Sequence, residues 1–281
     1  MAAVLKGMEA VNGIKGDLSN RVDTLKSAGK MPCLGIVRIG ARQDDLAYER
    51  GAVKRCEGVG VLCKVFEFPE TIDNEAFLEE FKKINDDETI HGLLVFQPMP
   101  RHIDTEAVKC MIRPEKDIDC MSQQSLAKVF VGDGSGYAPC TPSAVVEMLR
   151  YFKIPMKGKR VVIVGRSMVV GKPLSMMLLR ENATVTICHT GTVNLEEECR
   201  RAEILIAAAG KAKMINADHV APGAVVIDVG INVDENGNLC GDVDFESVEP
   251  VAGAVSPVPG GVGSVTSSIL ALHTIDACER A

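Results

Sequence analysis

The sequence lacks the features that mark several large classes of protein. Its net charge is -7, so it has no general excess of basic residues for binding nucleic acid or an anionic membrane surface. No apolar run approaches the roughly 20 residues that span a bilayer, and charges interrupt the first 19 residues, unlike a signal peptide. We expect a cytoplasmic protein that contacts neither membrane nor nucleic acid.

Patterns typical of metal sites and disulfide frameworks are also missing. The ten cysteines include no C-x-x-C pair, and the five histidines are dispersed, so no Cys/His zinc spacing can be built. Free cysteines commonly behave as small buried hydrophobic residues. We therefore predict no metal site.

Length and periodicity indicate a two-domain α/β protein. The 281 residues are 46% hydrophobic and 25% charged, which is ordinary for globular domains. Strand-like runs at 32–40, 62–68 and 90–97 alternate with helix-like segments at 44–59 and 74–85, which predicts parallel βαβ units. After the Gly/Ser-rich loop 131–144 the alternation restarts in a Rossmann-like pattern, with strand-like runs at 159–167, 183–189, 202–210 and 224–232.

These patterns predict two domains, 1–143 and 144–265, with a C-terminal helix at 266–281 that packs back on the first. In the second domain, "VVIVGRSMVVGKP" has a strand that stops at Gly165 and a second glycine, Gly171, before a helix. Such glycines let backbone N–H groups approach a diphosphate. The spacing is not G-x-G-x-x-G, so the loop alone fits either a nucleotide site or a plain turn.

The end of the next strand favours NADP over NAD. NAD-binding Rossmann units usually carry an acidic residue there for the ribose 2′-OH, whereas this strand ends in "CHTGT". The Thr190 hydroxyl and the Arg166 guanidinium are suited to a 2′-phosphate, which arginine binds through parallel hydrogen bonds.

Several motifs together resemble the methylenetetrahydrofolate dehydrogenase/cyclohydrolase family. They are "PEKDIDC", "PCTPSA", "GRSMVVGKP", "ATVTICHTGT", "PGAVVIDVGIN" and "VSPVPGGVGSVT", and the likeness covers essentially the whole chain in order. It implies an N-terminal folate-binding α/β domain, a C-terminal NADP-binding Rossmann domain, a substrate cleft between them and a homodimer. In the family reaction a hydride passes from 5,10-methylenetetrahydrofolate to NADP, and the methenyl product is hydrolysed to 10-formyltetrahydrofolate.

The resemblance also implies functional positions. Those for the cofactor are Gly165, Arg166, Ser167, Gly171, Thr190 and Ile231. Those for the tetrahydrofolate substrate are Tyr48, Ala52, Gln97, Asp119, Pro257, Pro259, Gly260 and Gly261, and the catalytic candidates are Tyr48, Lys54, Gln97 and Asp119. The Asp119 carboxylate is suited to accept hydrogen bonds from pterin N–H groups, although Cys120 replaces the usual following glycine.

Two departures from the family pattern concern the hydrolytic step. Ala52 stands four residues after Tyr48, where the family has its principal lysine. Lys54, which matches the family's second lysine, should point about 120° away from Tyr48 on a helix. Phe96 occupies the place of the glutamine that positions the lysine; Gln97 lies one residue late, and a one-residue slip on a strand reverses the facing side.

The hypothesis is therefore an NADP-dependent dehydrogenase whose cyclohydrolase step is weak or absent. A fully bifunctional enzyme stays open if another base, such as Lys54 on a distorted helix, moves the proton. A non-catalytic folate or NADP binding protein and a Rossmann dehydrogenase for another small substrate are further alternatives.

Overall fold

The computed structural model describes residues 1–235 and 237–281. Its strands are β1 Ala3–Val4, β2 Cys33–Ile39, β3 Leu62–Phe68, β4 Gly92–Val95, β5 Arg160–Val164, β6 Thr184–Cys188, β7 Ile204–Ala207, β8 Val225–Asp228, β9 Asn232–Val233, β10 Leu239–Cys240 and β11 Ala254–Val255. Its helices are α1 Gly7–Ser27, α2 Gln43–Glu57, α3 Asn74–Asp86, α4 Thr105–Met111, α5 Gln123–Val131, α6 Cys140–Tyr151, α7 Gly171–Arg180, α8 Leu195–Arg200, α9 Phe245–Val248 and α10 Val262–Arg280, with a short 3-10 helix at Ala217–His219.

The chain forms two compact units. One contains Met1–Gly13 and Thr141–Thr266, and we call it the six-stranded unit; the other contains Ile14–Cys140 and Ser267–Ala281, and we call it the three-stranded unit. This grouping differs from the predicted division at the N-terminus, because β1 pairs with β11 and joins the larger sheet. A two-residue strand carries too little periodicity to be recognised in the sequence.

The six-stranded sheet is parallel throughout, in the order β1-β11-β8-β7-β5-β6. Strand β5 pairs with β6 on one side and with β7 on the other. The order in which successive strands are added to the sheet therefore reverses at β5. Its residues 161–164 are all buried, as expected for a parallel strand with both faces covered. The predicted Rossmann-like architecture is confirmed.

The three-stranded unit has a parallel sheet in the order β3-β2-β4. Helix α3 begins after Asp73, whose carboxylate accepts from the N–H groups of Glu75 and Ala76, a typical N-cap. Its apolar face carries Phe77 and Phe81 into a core with β2, β4 and α4. The sequence did not indicate α4 or α5, which have seven and nine residues and span only two or three turns of the helical period.

No helix within the described residues is long and apolar enough to cross a membrane. The C-terminal segment predicted as a helix at 266–281 is helical from Val262 to Arg280.

Replacement of Phe77 by alanine should lower the free energy of unfolding by about 3–5 kcal/mol, because it leaves a cavity among aromatic neighbours. The Phe77 ring is fully buried, 5.3 Å from the Phe68 ring and 6.0 Å from the Phe81 ring between centroids. Urea unfolding measures the change. Phe130→Ala is the control, since Phe130 is 71% exposed; equal losses from both substitutions would contradict this view of the core.

Candidate functional site

One face of α2 is buried and carries the first candidate residues. Ala52 and Cys56 are both fully buried and stand one turn apart, with Tyr48 half-buried one turn earlier. Residues four apart lie on the same helical face. Ala52 therefore lies on the face that Tyr48 also uses, as the helical period predicted.

Lys54 lies on a different face of the same helix. Its side chain is exposed and lines a shallow surface depression with Arg50, Val53 and Glu57. The structure therefore shows no distortion of α2 that turns Lys54 towards the buried face. Among the described residues of α2, that face presents no ammonium group.

Phe96 packs against Tyr48. The two rings meet edge to face, with centroids 5.9 Å apart and planes at 87°, a favourable aromatic arrangement. The Phe96 N–H donates to the Val37 carbonyl at 3.0 Å, which extends the β4 ladder by one residue. Gln97, the next residue, is exposed, so the position that faces Tyr48 is apolar.

The hydroxyl of Tyr48 is held in its neutral form. Burial raises its pKa well above the usual value, and the nearby Cys140 and Asp119 add to the shift. A neutral phenol is a hydrogen-bond donor at physiological pH. Asp119 and Cys140, both in the three-stranded unit, are thus close enough to Tyr48 to raise its pKa.

Asp119 is fixed by the start of α6. The Cys140 N–H donates to its Oδ1 at 2.8 Å, which satisfies one of the unpaired amides at a helix start. Burial raises the pKa of Asp119, and the Cys140 hydrogen bond opposes that rise. Cys120, which follows, has φ of 57°, the left-handed conformation that favours glycine. The backbone of this motif thus keeps a shape suited to glycine although the residue is a cysteine.

In the six-stranded unit, the loop after β5 depends on two glycines. Gly165 has φ of 139°, and a Cβ built there would lie 2.1 Å from the Ala208 carbonyl oxygen. A Cβ on Gly171, the first residue of α7, would lie 2.0 Å from the Gly165 oxygen. No side chain fits either position, so the loop is held close against the start of α7.

The other predicted cofactor residues lie at the same sheet edge. Gly165 follows β5, Thr190 follows β6 and Ile231 follows β8, and carboxyl ends of parallel strands meet at one edge. Gly165 donates its N–H to the Cys188 carbonyl at 2.8 Å, which joins the ends of β5 and β6. Arg166 and Thr190 are both exposed there.

This edge fits a dinucleotide. The N–H groups at the start of a ten-residue helix, α7, suit a diphosphate. Ser167 shapes the approach to α7, since its Oγ accepts from the Val170 N–H at 3.0 Å. The exposed Arg166 guanidinium supplies a positive charge beside the loop, and residues 257–261 follow β11 at the same edge.

Glycine also shapes the segment 257–261. Gly260 has φ of 101°, and a Cβ on Gly261 would lie 2.4 Å from the Pro257 oxygen. The Gly260 carbonyl accepts from the Gly7 N–H at 2.8 Å. Pro257 and Pro259 flank this turn, so the four predicted positions form one compact loop at the start of α10.

Two buried carboxylates that sequence reasoning missed organise this sheet edge. Asp242 accepts from the N–H groups of Ala209, Gly210 and Lys211 and from the Asn232 amide. Asp228 accepts from the N–H groups of Gly230, Asp242 and Val243. Burial raises the pKa of Asp228 to about 6, against the opposing effect of those three N–H donors. Asp228 stands in "VIDVGIN" and Asp242 in "GDVDF". The only sequence signal for a role of either residue is a glycine close to it.

Asp45 is a third residue that sequence reasoning missed. It is buried on α2, one turn before Tyr48 and two turns before Ala52. Burial raises its pKa, and the neighbouring Arg42, with Nε 3.8 Å from Oδ2, opposes the rise. A charged residue at a buried position of a helix is unusual.

In residues 1–235 and 237–281, no group of three or more His, Cys, Asp or Glu side chains is arranged to hold a metal ion.

The sheet, its glycine-shaped edge and the smaller parallel sheet define an α/β protein with a Rossmann-type nucleotide-binding unit. Comparison with known families then identifies it. The chain belongs to the tetrahydrofolate dehydrogenase/cyclohydrolase family, since residues 5–119 match the model of its catalytic domain and residues 139–281 match that of its NAD(P)-binding domain. The predicted family is confirmed, and the match to the NAD(P)-binding domain supports the predicted NADP cofactor.

Similar proteins span the whole chain. The bifunctional protein FolD of Carboxydothermus hydrogenoformans is 53% identical over 281 residues, which cover 99% of this chain and 98% of that protein. The crystal structure of the FolD methylenetetrahydrofolate dehydrogenase/cyclohydrolase from Campylobacter jejuni has a TM-score of 0.96 at 35% identity, covering 100% and 99% of the two chains. The Trypanosoma brucei enzyme, solved with NADP and an inhibitor, has a TM-score of 0.92 at 34% identity, covering 99% and 98%.

Replacement of Gly165 by alanine should weaken NADP binding at least about tenfold, because the added Cβ displaces the loop from its neighbour. Fluorescence titration with NADPH measures the affinity. Gly16→Ala is the control, because a Cβ there meets nothing within 4 Å; it should leave affinity unchanged and add at most about 1 kcal/mol of helix stability. Unchanged NADPH affinity in Gly165→Ala would contradict the assignment of this loop.

Asp228 should make stability depend on pH in a defined direction. Its folded-state pKa of about 6 lies above the usual 3.8. The stability that this difference contributes is therefore fully present below pH 3.8 and is lost as the pH rises through about 6. As the pH falls from 7 to 5, the free energy of unfolding of the unaltered protein should rise by about 1 kcal/mol relative to that of Asp228→Asn. Urea unfolding of both proteins at three pH values tests this. A constant or shrinking difference would contradict it.

Proposed function

We propose that this protein is an NADP-dependent 5,10-methylenetetrahydrofolate dehydrogenase in which hydrolysis of the methenyl product is weak or absent. Family membership and the intact sheet edge for the dinucleotide support the first part. The apolar pair of Ala52 and Phe96 beside Tyr48 supports the second.

Ala52 and Phe96 are the observation on which the proposal rests. Hydrolysis of the methenyl cation needs a group that accepts a proton from water. A fully buried methyl group and an aromatic ring stand at the positions from which a lysine and its glutamine partner would act. Apolar surface there disfavours an ordered, polarised water, since it offers no hydrogen-bond partners.

Tyr48 and Asp119 are proposed to bind the folate. The neutral Tyr48 hydroxyl donates a hydrogen bond to the substrate, and the Asp119 carboxylate accepts from the pterin N–H groups. Its hydrogen bond from Cys140 leaves Oδ2 for that contact. Neither role requires a lysine, so substrate binding and hydride transfer are compatible with Ala52.

The six-stranded unit is proposed to hold NADP, which accepts the hydride when bound. The N–H groups at the start of α7 bind the diphosphate, with Gly165, Ser167 and Gly171 shaping the loop. Arg166 and Thr190 bind the 2′-phosphate, since both are exposed at the ends of adjacent strands. Ile231 would contact the bound cofactor and residues 257–261 the bound substrate, as the family resemblance implies. Lys54 and Gln97 are exposed, so we assign neither a catalytic role.

A bifunctional enzyme is the second candidate, and Asp45 favours it. This carboxylate is buried on the same stripe of α2 as Ala52, and burial raises its pKa towards the range useful for proton transfer. Relatives of this chain also carry the name bifunctional protein FolD. In this version Asp45 replaces the lysine as the group that moves the proton.

The test records NADPH and methenyltetrahydrofolate separately after the purified protein is mixed with methylenetetrahydrofolate and NADP. Methenyl product should accumulate and decay only at the rate found in buffer. In Ala52→Lys combined with Phe96→Gln, its decay should accelerate at least about tenfold, because a positioned base typically contributes about 10²–10⁴-fold. The matched control is Ala52→Met with Phe96→Gln, which adds similar bulk without an amine.

The other outcomes separate the alternatives. Fast methenyl consumption by the unaltered protein would contradict the weak hydrolysis, and its loss in Asp45→Asn would assign that step to Asp45. Folate binding without NADPH formation would indicate a non-catalytic binding protein. Absence of folate binding would favour a dehydrogenase for another substrate.

A cytoplasmic homodimer is the proposed state of the protein. The family resemblance supports the dimer and the sequence composition supports the location, and light scattering on the purified protein measures the mass directly.

A further inference from the structure

A buried histidine of α10 contacts the backbone next to Asp119, one of the candidate folate residues, and has no role in the reaction proposed above. His273 is 8% exposed, and its Nδ1 lies 2.8 Å from the Ile118 carbonyl oxygen. Burial lowers the pKa of His273, with its hydrogen bond to Ile118 and the charge of Asp276 opposing the shift. Because a carbonyl only accepts, Nδ1 carries the hydrogen and donates it.

The carbonyl that His273 binds belongs to the residue directly before Asp119. Cys140 reaches both residues from the start of α6: its N–H donates to Asp119 Oδ1 at 2.8 Å, and its Sγ lies 3.6 Å from the Ile118 oxygen. Cys140 thus holds the Asp119 carboxylate, and His273 and Cys140 together hold the backbone carbonyl just before it. Two fixed points restrict how the carboxylate can rotate.

The imidazole itself is held in place. Tyr137 packs on it with ring centroids 5.2 Å apart, and the Arg280 guanidinium lies 5.0 Å from the centre of the Tyr137 ring. The Cys140 Sγ lies 3.8 Å from His273 Nδ1. A ring packed in this way cannot turn away from Ile118 without disturbing several buried contacts.

We propose that His273 is a positioning residue that sets the direction of the Asp119 carboxylate and thereby the affinity for the folate substrate. The proposal rests on the folate role of Asp119 stated above. His273 touches neither substrate nor cofactor in this scheme; it acts through the Ile118 peptide. Another side chain that carries an N–H on the atom bonded to Cγ should therefore perform the same role.

His273→Leu removes the donor, and His273→Asn retains one at the equivalent atom. The KM for methylenetetrahydrofolate should rise about tenfold in His273→Leu, the loss that one hydrogen bond typically produces. It should stay within about twofold of the unaltered value in His273→Asn. The KM for NADP should not change in either variant, because the six-stranded unit is untouched.

His102→Leu provides a matched control, since the His102 Nε2 also lies 2.9 Å from a backbone carbonyl, that of Ile72, but on the surface. It should leave both KM values unchanged. In an Asp119→Asn background, His273→Leu should have little further effect, because residues that act through one another are not additive. Thermal unfolding of every variant identifies any that do not fold.

A rise of both KM values together, or failure of His273→Asn to restore the folate KM, would overturn the positioning role. Calorimetric titration with tetrahydrofolate tests the positioning role separately from the proposed function, because it measures folate binding without NADPH formation. If the unaltered protein forms no NADPH, the proposed function fails. The positioning role fails, independently of NADPH formation, if His273→Leu binds tetrahydrofolate as tightly as the unaltered protein.

Discussion

Parallel strand pairing is the constraint on which both units depend. Paired strands of the two main sheets run in the same direction, so a connection between two paired strands crosses a face of the sheet to reach the amino end of the next strand. The carboxyl ends therefore collect the loops: Phe96 follows β4 in one sheet, and Gly165 follows β5 in the other. These candidate residues lie where the regular hydrogen bonding of their strands stops.

Two buried charged groups, one in each unit, each have several hydrogen-bond partners. Asp242 is fully buried but accepts from three consecutive N–H groups and one side-chain amide. Lys116, 3% exposed, donates to the carbonyls of Asn85 and Asp87 at 2.7 and 2.8 Å. Several partners converge on each of these two charges, since an unpaired buried charge costs far more than one hydrogen bond returns.

The same rule gives a physical reason why Ala52 and Phe96 occur together. A buried glutamine without the lysine it binds would leave an amide unsatisfied, and a buried lysine without that partner would be poorly compensated. Replacement of both by apolar side chains leaves Tyr48 with a favourable aromatic contact instead. The two apolar side chains therefore leave no uncompensated polar group of their own beside Tyr48.

Features that depend on local periodicity could be predicted from the sequence. The direction of Lys54 away from Tyr48 follows from 3.6 residues per turn, the opposite facing of Phe96 and Gln97 from strand alternation, and the loop at Gly165 from glycines after an apolar run. The contacts between residues distant in sequence could be known only from the fold. His273 lies 155 residues from Ile118, and Asp242 binds the amides of a loop more than 30 residues earlier. The burial of Asp45 and the contact of Phe96 with Tyr48 likewise depend on chain segments far apart in sequence, and local periodicity contains no information about such contacts.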